Sequence, residues 1–170
     1  MVEGSSLAPM MAPLNQRLKE LRLKVATAES CTGGLLGAML SDLPGAGEVF
    51  LGGFISHTYD AKEILLGIPR SLLESEGAVS AEVARLMAEA ARAQLKAGLG
   101  LSITCIAGPG GQEGKPIGLG YVAATIEEGT MVREMRLGGG RASNRVAAVE
   151  AALQLAIDIL EASEAGPARA

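Results

Sequence analysis

The chain has 170 residues, 48% of them hydrophobic, and a formal net charge of −4, which fits one domain with a substantial core and leaves little room for two. Only two Phe and two Tyr occur and Trp is absent, so the core rests on Leu, Ile, Val, Ala and Met, and stacking of bases on aromatic side chains has almost nothing to use. With no basic block, the composition excludes sequence-independent nucleic-acid binding through phosphate neutralisation, while a small anionic ligand held by two or three cations remains compatible.

Residues 1–12 read as a loosely attached tail. They contain Glu3, no Lys or Arg precedes Arg17, and Pro9 and Pro13 interrupt the apolar residues, so the stretch does not read as a signal peptide. A first helix is expected from Pro13, with Leu14, Leu18 and Leu21 on one face. A strand over Lys24 to Ala28 then delivers the chain to Glu29-Ser30-Cys31-Thr32-Gly33-Gly34, and a helix is expected from Thr32 to Leu40. Glu48 to Ser56 reads as a strand with a bulge or a close backbone approach at Gly52-Gly53.

Two short helices follow, Tyr59 to Leu66 and Pro69 to Glu76, and Ser80 caps a longer one from Ala81 to Lys96 that Gly98 ends. Its apolar stripe is Val83, Leu86, Met87, Ala90 and Ala91. Leu101 to Ala107 is apolar enough for a central strand buried on both faces, and Gly108 to Pro116 is a glycine- and proline-rich loop. Gly118 to Ile126 and Met131 to Leu137 form a hairpin, and a last helix runs from Arg141 to Ala162 with Val146, Val149, Leu153, Ile157 and Leu160 inward.

This order predicts a three-layer α/β/α domain with a mixed sheet of about five strands, spanning residues 13–163, and a frayed tail over 164–170. Ligands of such open sheets bind beyond the carboxyl ends of the strands, where Ser30, the Gly108 loop and the segment after Ser56 would meet. No run is long enough to cross a bilayer, and the two cysteines, Cys31 and Cys105, do not make a disulfide framework, so the cytoplasm is the expected location.

Small residues and unpartnered amides at the Ser30 turn suit an oxyanion or phosphate, with Ser30 as a nucleophile or, equally, with Ser30 or Thr32 merely capping a helix. A serine nucleophile needs a base, which His57, the single histidine, or a desolvated Lys62 can supply. Cys31 reads as a packing residue or a second nucleophile. One His and no Cys pair at ligand spacing give no metal site. Arg141 and Arg145, at the start of the last helix, oppose its dipole, so they either face an anion or point into water.

Ala28-Glu29-Ser30-Cys31-Thr32-Gly33-Gly34, Gly52-Gly53 with Asp60-Ala61-Lys62 and Leu66-Gly67-Ile68, Gly77-Ala78-Val79-Ser80, Ile106-Ala107-Gly108-Pro109 with Lys115-Pro116-Ile117-Gly118, and Gly140-Arg141 together resemble the CinA carboxy-terminal family. The resemblance runs collinearly from about Leu14 to Leu160. It implies the mixed-sheet α/β/α fold, a homodimer or homotrimer, and hydrolysis of nicotinamide mononucleotide to nicotinic acid mononucleotide and ammonia with neither metal nor other cofactor.

By the same resemblance Ser30 is the nucleophile and Lys62 its base, and His57 stands beside them. The substrate, a pyridine mononucleotide, lies among Cys31, Thr32, Gly33, Gly34, Thr104, Gly108 and Gly111, with Arg141 and Arg145 toward its phosphate. The chain departs from the family where His57-Thr58-Tyr59-Asp60-Ala61-Lys62 replaces a Tyr-Ser/Thr-Asn-Glu-Ala-Lys run. It departs again where Cys105 and Gly110 replace a Gly and an Asp, and its loop to Lys115 is shorter. A module with the fold that binds a nucleotide without turnover is the alternative.

Overall fold

The computed structural model describes residues 7–165. In chain order these form α1 (Ala8–Glu20), β1 (Val25–Glu29), α2 (Leu35–Ser41), α3 (Ala46–Val49), β2 (Phe50–Ile55) and α4 (Tyr59–Leu66). Then come α5 (Arg70–Glu76), α6 (Ala81–Leu95), β3 (Leu99–Cys105), β4 (Leu119–Ile126), β5 (Gly129–Arg136) and α7 (Arg141–Ala165). One five-stranded sheet has the order β2-β1-β3-β4-β5, parallel across β2, β1 and β3 and antiparallel from β3 through β5. This is the expected three-layer α/β/α arrangement.

Alternation along the strands divides the core into two layers. Val25, Leu99, Leu101 and Ile103 pack with α1, α2 and α7, while Ala26 and Ala28 face α4, α5 and α6. β3 lies in the middle and is buried at every residue. Its α6-facing residues are small: Ser102 donates to the Ala84 carbonyl at 2.6 Å, and a side chain at Gly100 would strike the carbonyl of Ala88. The long helix therefore lies close on the sheet and fixes the level at which the strand ends open.

Glycines set the register of β2. Pairing steps from Val25↔Phe50 to Ala26↔Gly52, so Leu51 is an extra residue, and Gly52 has φ 130°. A Cβ on Gly53 would collide with the side chain and carbonyl of Thr27, so the bulge and the close approach occur at successive glycines.

Several boundaries differ from the sequence reading. α1 begins at Ala8 and not at Pro13, because Leu7 and Met11 are buried in the core and Pro9 occupies the first turn, where its missing N–H is not needed. Of the expected tails, residues 1–6 and 166–170 lie outside the described residues, and residues 164 and 165 are the last of α7. α6 ends where Lys96 turns left-handed at φ 51°, ahead of Gly98. On α7, Val149, Leu153 and Leu160 are buried as expected, but Val146 is exposed and Ile157 half-buried. Ala148, Ala152 and Ala156 supply the buried stripe instead, small enough to bring the helix close to the sheet.

Candidate active site

β1 carries the chain to Ser30, whose amide bonds the Ile103 carbonyl of the neighbouring strand at 3.0 Å. β2 ends beside it, with the Ser56 amide on the Glu29 carbonyl at 2.8 Å. Thr58 then caps α4 by accepting from the Ala61 amide at 3.1 Å, so the helix starts at a fixed angle and its inner face turns back under Ser30. That face carries Lys62, which is 0% exposed, with Nζ 3.0 Å from Ser30 Oγ and 2.6 Å from the Ser56 carbonyl.

Burial disfavours the charged ammonium and brings the Lys62 pKa from 10.5 down to about 8, against the pull of the Glu113 carboxylate, which raises it. This is the desolvated lysine that the sequence analysis offers as a base. A neutral amine held by the Ser56 carbonyl through one N–H has a lone pair free to receive the Ser30 proton.

His57 is differently placed. Its Nδ1 lies 3.1 Å from the Ser30 carbonyl oxygen, an atom that only accepts, so Nδ1 carries the proton and donates it. The structure thus brings Lys62 to the Ser30 hydroxyl and His57 to the Ser30 backbone.

The helix start expected at Thr32 is displaced to Leu35, because Gly33 and Gly34 are left-handed, with φ 59° and 95°. Its amides are not open to a ligand. Glu29, 1% exposed, reaches across the turn, accepting from Gly34 N at 3.1 Å, Leu36 N at 3.0 Å and Gly37 N at 2.8 Å. A side-chain carboxylate already fills the site that the helix dipole favours. The amides of Cys31 and Thr32, one turn earlier, have no hydrogen-bond partner among the described residues.

Cys31 is neither a free thiol nor a lone packing residue. It is disulfide-bonded to Cys105, with the Cα atoms 5.6 Å apart. Strand register explains the pairing: Glu29 faces Ile103 across β1 and β3, and two residues further on the same register sets Cys31 beside Cys105. The bridge fastens the Ser30 turn to the base of the Gly108 loop.

The opposite wall comes from that loop and the start of α7. Arg141 Nη1 donates to the Gly108 carbonyl and Arg145 Nη2 to the Thr32 carbonyl, each at 2.6 Å. Between them Asn144, 1% exposed, donates to the carbonyls of Ala107 at 3.2 Å and Gly139 at 2.8 Å. Arg145 Nε and Thr32 Oγ1 are buried without a partner among the described residues. Thr104 is fully buried and donates to the Ala78 carbonyl at 2.8 Å, under the connection between α5 and α6. Gly111 is exposed and forms the turn over Lys115, whose carbonyl a Cβ there would meet at 2.6 Å.

Glu29, Ser56, Tyr59, Glu113 and Asn144 were not foreseen as site residues. For Glu29, a carboxylate just before a glycine-rich helix start was an available capping signal. The partners of the others depend on tertiary packing. Among the described residues, no three or more His, Cys, Asp or Glu side chains converge as a metal site, and no helix is long and apolar enough to cross a membrane. Cavities of about 240 Å³ lie at the far end of the sheet, beside the β4–β5 turn.

The family profile of the CinA C-terminal domain matches residues 7–160. The chain belongs to that family. It is 44% identical over 148 residues to a protein of Desulforamulus reducens named for competence-damage induction, a match covering 87% of this chain and 36% of the relative. It is 47% identical over 133 residues to a CinA-like protein of Syntrophomonas wolfei, covering 78% and 32%. The chain therefore spans about a third of the length of these curated relatives. Among solved structures, the competence/damage inducible protein CihA of Agrobacterium tumefaciens superposes with a TM-score of 0.86 at 37% identity, over 91% of this chain and 95% of that one. A CinA-superfamily protein of Escherichia coli does so with a TM-score of 0.87 at 31% identity, over 94% and 93%.

Proposed function

We propose that this CinA-family domain is an amidohydrolase that converts nicotinamide mononucleotide to nicotinic acid mononucleotide and ammonia through an acyl-enzyme on Ser30. The observation that carries the reading is the fully buried Lys62 amine, 3.0 Å from the Ser30 hydroxyl with its pKa lowered to about 8. A buried amine beside a serine, with no charged group at hydrogen-bond distance among the described residues, is arranged for proton transfer and not for solvation.

Neutral Lys62 accepts the Ser30 proton as Oγ attacks the carboxamide carbon. The carbonyl oxygen becomes an oxyanion, received by the unengaged amides of Cys31 and Thr32, and each such donor is worth ~2.7 to 4 kcal/mol to the transition state. The lysine ammonium passes its proton to the departing nitrogen, which leaves as ammonia. Water then attacks the ester with Lys62 again as base, and the carboxylic acid and free Ser30 result. Arg141 and Arg145 each keep further N–H groups beyond those given to carbonyls, which suits the substrate phosphate. We infer that the domain assembles as a homodimer or homotrimer.

The test is ammonia and nicotinic acid mononucleotide formation by the purified protein, with Ser30→Ala as control. Product from wild type and none from the variant is expected. If wild type releases nothing above the control while a known deamidase does in the same assay, the reading fails. Calorimetric binding of the mononucleotide, unchanged for hours, would then mark the chain as a binding module.

A further inference from the structure

We propose that Glu113 is a positioning residue for the Ser30–Lys62 pair, holding the Gly108–Lys115 loop against α4 and setting a carboxylate beside the lysine. The inference rests on the Ser30–Lys62 reading of the site. Glu113 has φ 56°, a conformation that a residue with a side chain rarely adopts unless its surroundings hold it there.

What holds it is visible. Its Oε1 accepts the Tyr59 hydroxyl at 2.6 Å and the Ala78 amide at 3.1 Å. Gly77 leaves room for this, since a Cβ there would collide with Glu113 Oε2. Two residues on, Lys115 Nζ donates to the carbonyls of Glu76 and of Val79, the latter at 2.7 Å. Thr104 grips Ala78 from the sheet side at 2.8 Å. The loop is thus latched onto the α5–α6 connection by two charged side chains, and onto α4 by one.

The α4 contact matters most. Tyr59 and Lys62 are three residues apart on the helix, so they share a face, and a carboxylate on the Tyr59 hydroxyl stands within reach of the lysine. Tyr59 is also a departure of this chain, occupying the place of the Asn in the run the family resemblance rests on. The other ionisable groups facing this corner are His57, Lys115 and Glu74, while Asp60 and Glu63 are paired with Arg70 on the outer side of α4. Burial alone would make Lys62 a weak base that gives up its proton readily. The Glu113 charge opposes this and stabilises the ammonium that forms when Ser30 is deprotonated, a service comparable to that of an aspartate behind a catalytic histidine.

Glu113→Gln tests the role, because the carboxamide oxygen keeps both accepted hydrogen bonds while the charge is lost. Side-chain nitrogen NMR of labelled lysines reads the Lys62 titration whether or not the protein turns over. In wild type the midpoint is expected near pH 8, and in Glu113→Gln it should fall by about half a unit or more. The acid limb of kcat/KM should move the same way. Glu113→Ala, which also opens the latch, should show the same midpoint and a raised KM. An unmoved Lys62 midpoint in either variant, with wild-type melting, overturns the proposal. Missing turnover in wild type would instead remove the deamidase reading, and the NMR midpoint would still decide on Glu113.

Discussion

The cleft wall built from the ends of β1 and β2 keeps its polar groups inside the protein, whereas the wall built from the Gly108 loop and the start of α7 brings charged side chains, Glu113 and Arg141, to the surface. Glu29, Ser30, Ser56 and Lys62 are all less than a tenth exposed, and their partners are backbone amides, a carbonyl and one another. Glu113 and Arg141 are exposed and reach backbone carbonyls, an amide or a neighbouring tyrosine. Burial lowers the proton affinity of Lys62, so the first wall suits bond-making, while an exposed guanidinium such as that of Arg141 suits gripping and releasing a charged ligand. Changes in the first wall should therefore act on kcat, and loss of Arg141 on KM, with Glu113 as the member of the second wall whose charge acts through Lys62.

The sharpest break comes from the dyad itself. Lys62→Ala is expected to lower deamidation by about 10²- to 10⁴-fold, as removal of a general base does, with KM little changed. Ser30→Ala should match or exceed it, and the double variant should lose little more, because the two groups act as one unit. Steady-state kinetics of the three variants checks this. A large rise in KM with kcat preserved would place Lys62 on the gripping wall instead.

The Cys31–Cys105 bridge joins the two walls, and the next effect is on stability. It closes a loop with a sequence separation of 74, for which the chain-entropy account gives about 4 kcal/mol. Reduction, or Cys31→Ser, is expected to lower the urea midpoint accordingly. Equal midpoints for oxidised and reduced protein would mean that strand pairing alone holds the turn.

The buried lysine has a cost that depends on pH. Its pKa falls from 10.5 in the unfolded chain to about 8 in the fold, so between these values the unfolded state binds more protons and stability rises with pH. Below pH 8 the whole penalty is present, about 3 kcal/mol at 1.36 kcal/mol per unit. Lys62→Met should flatten the rise between pH 8 and 10.5 in denaturant titrations. An unchanged slope would show that another group titrates there.

How much of this could be read from sequence differs between the walls. Lys62 was legible as one of two candidate bases and was singled out by the Asp60-Ala61-Lys62 run of the family resemblance, whereas its burial on α4 depends on tertiary packing. Ser30 was legible from the strand that ends in small residues. The helix start was misplaced because two left-handed glycines delay it, and the one local signal, a carboxylate at Glu29 just before the glycines, was not used to assign the cap. The disulfide depends on β1 and β3 being neighbours, which is a tertiary fact. Glu113 lies in a loop whose shape is set by Tyr59, Gly77 and Ala78, all more than thirty residues away.

The smallest expected effect belongs to His57, and it bears on the base assignment. Its ring is exposed and its Nδ1–H is given to the Ser30 carbonyl, so on the proposed mechanism the ring steadies the Ser30 backbone and leaves the Oγ proton to Lys62. Losing one such hydrogen bond at an exposed position costs about 1 kcal/mol, so His57→Ala should reduce kcat only several-fold. His57→Asn, whose carboxamide also donates N–H, should recover part of that loss. The rate of wild type should fall as pH drops below about 8, where Lys62 gains its proton, and the same limb should persist in His57→Ala. A pH–rate profile of the two proteins decides the matter. Should His57→Ala abolish turnover and Lys62→Ala keep it, the proton goes to the imidazole, and the chemistry moves from the buried wall to its exposed edge.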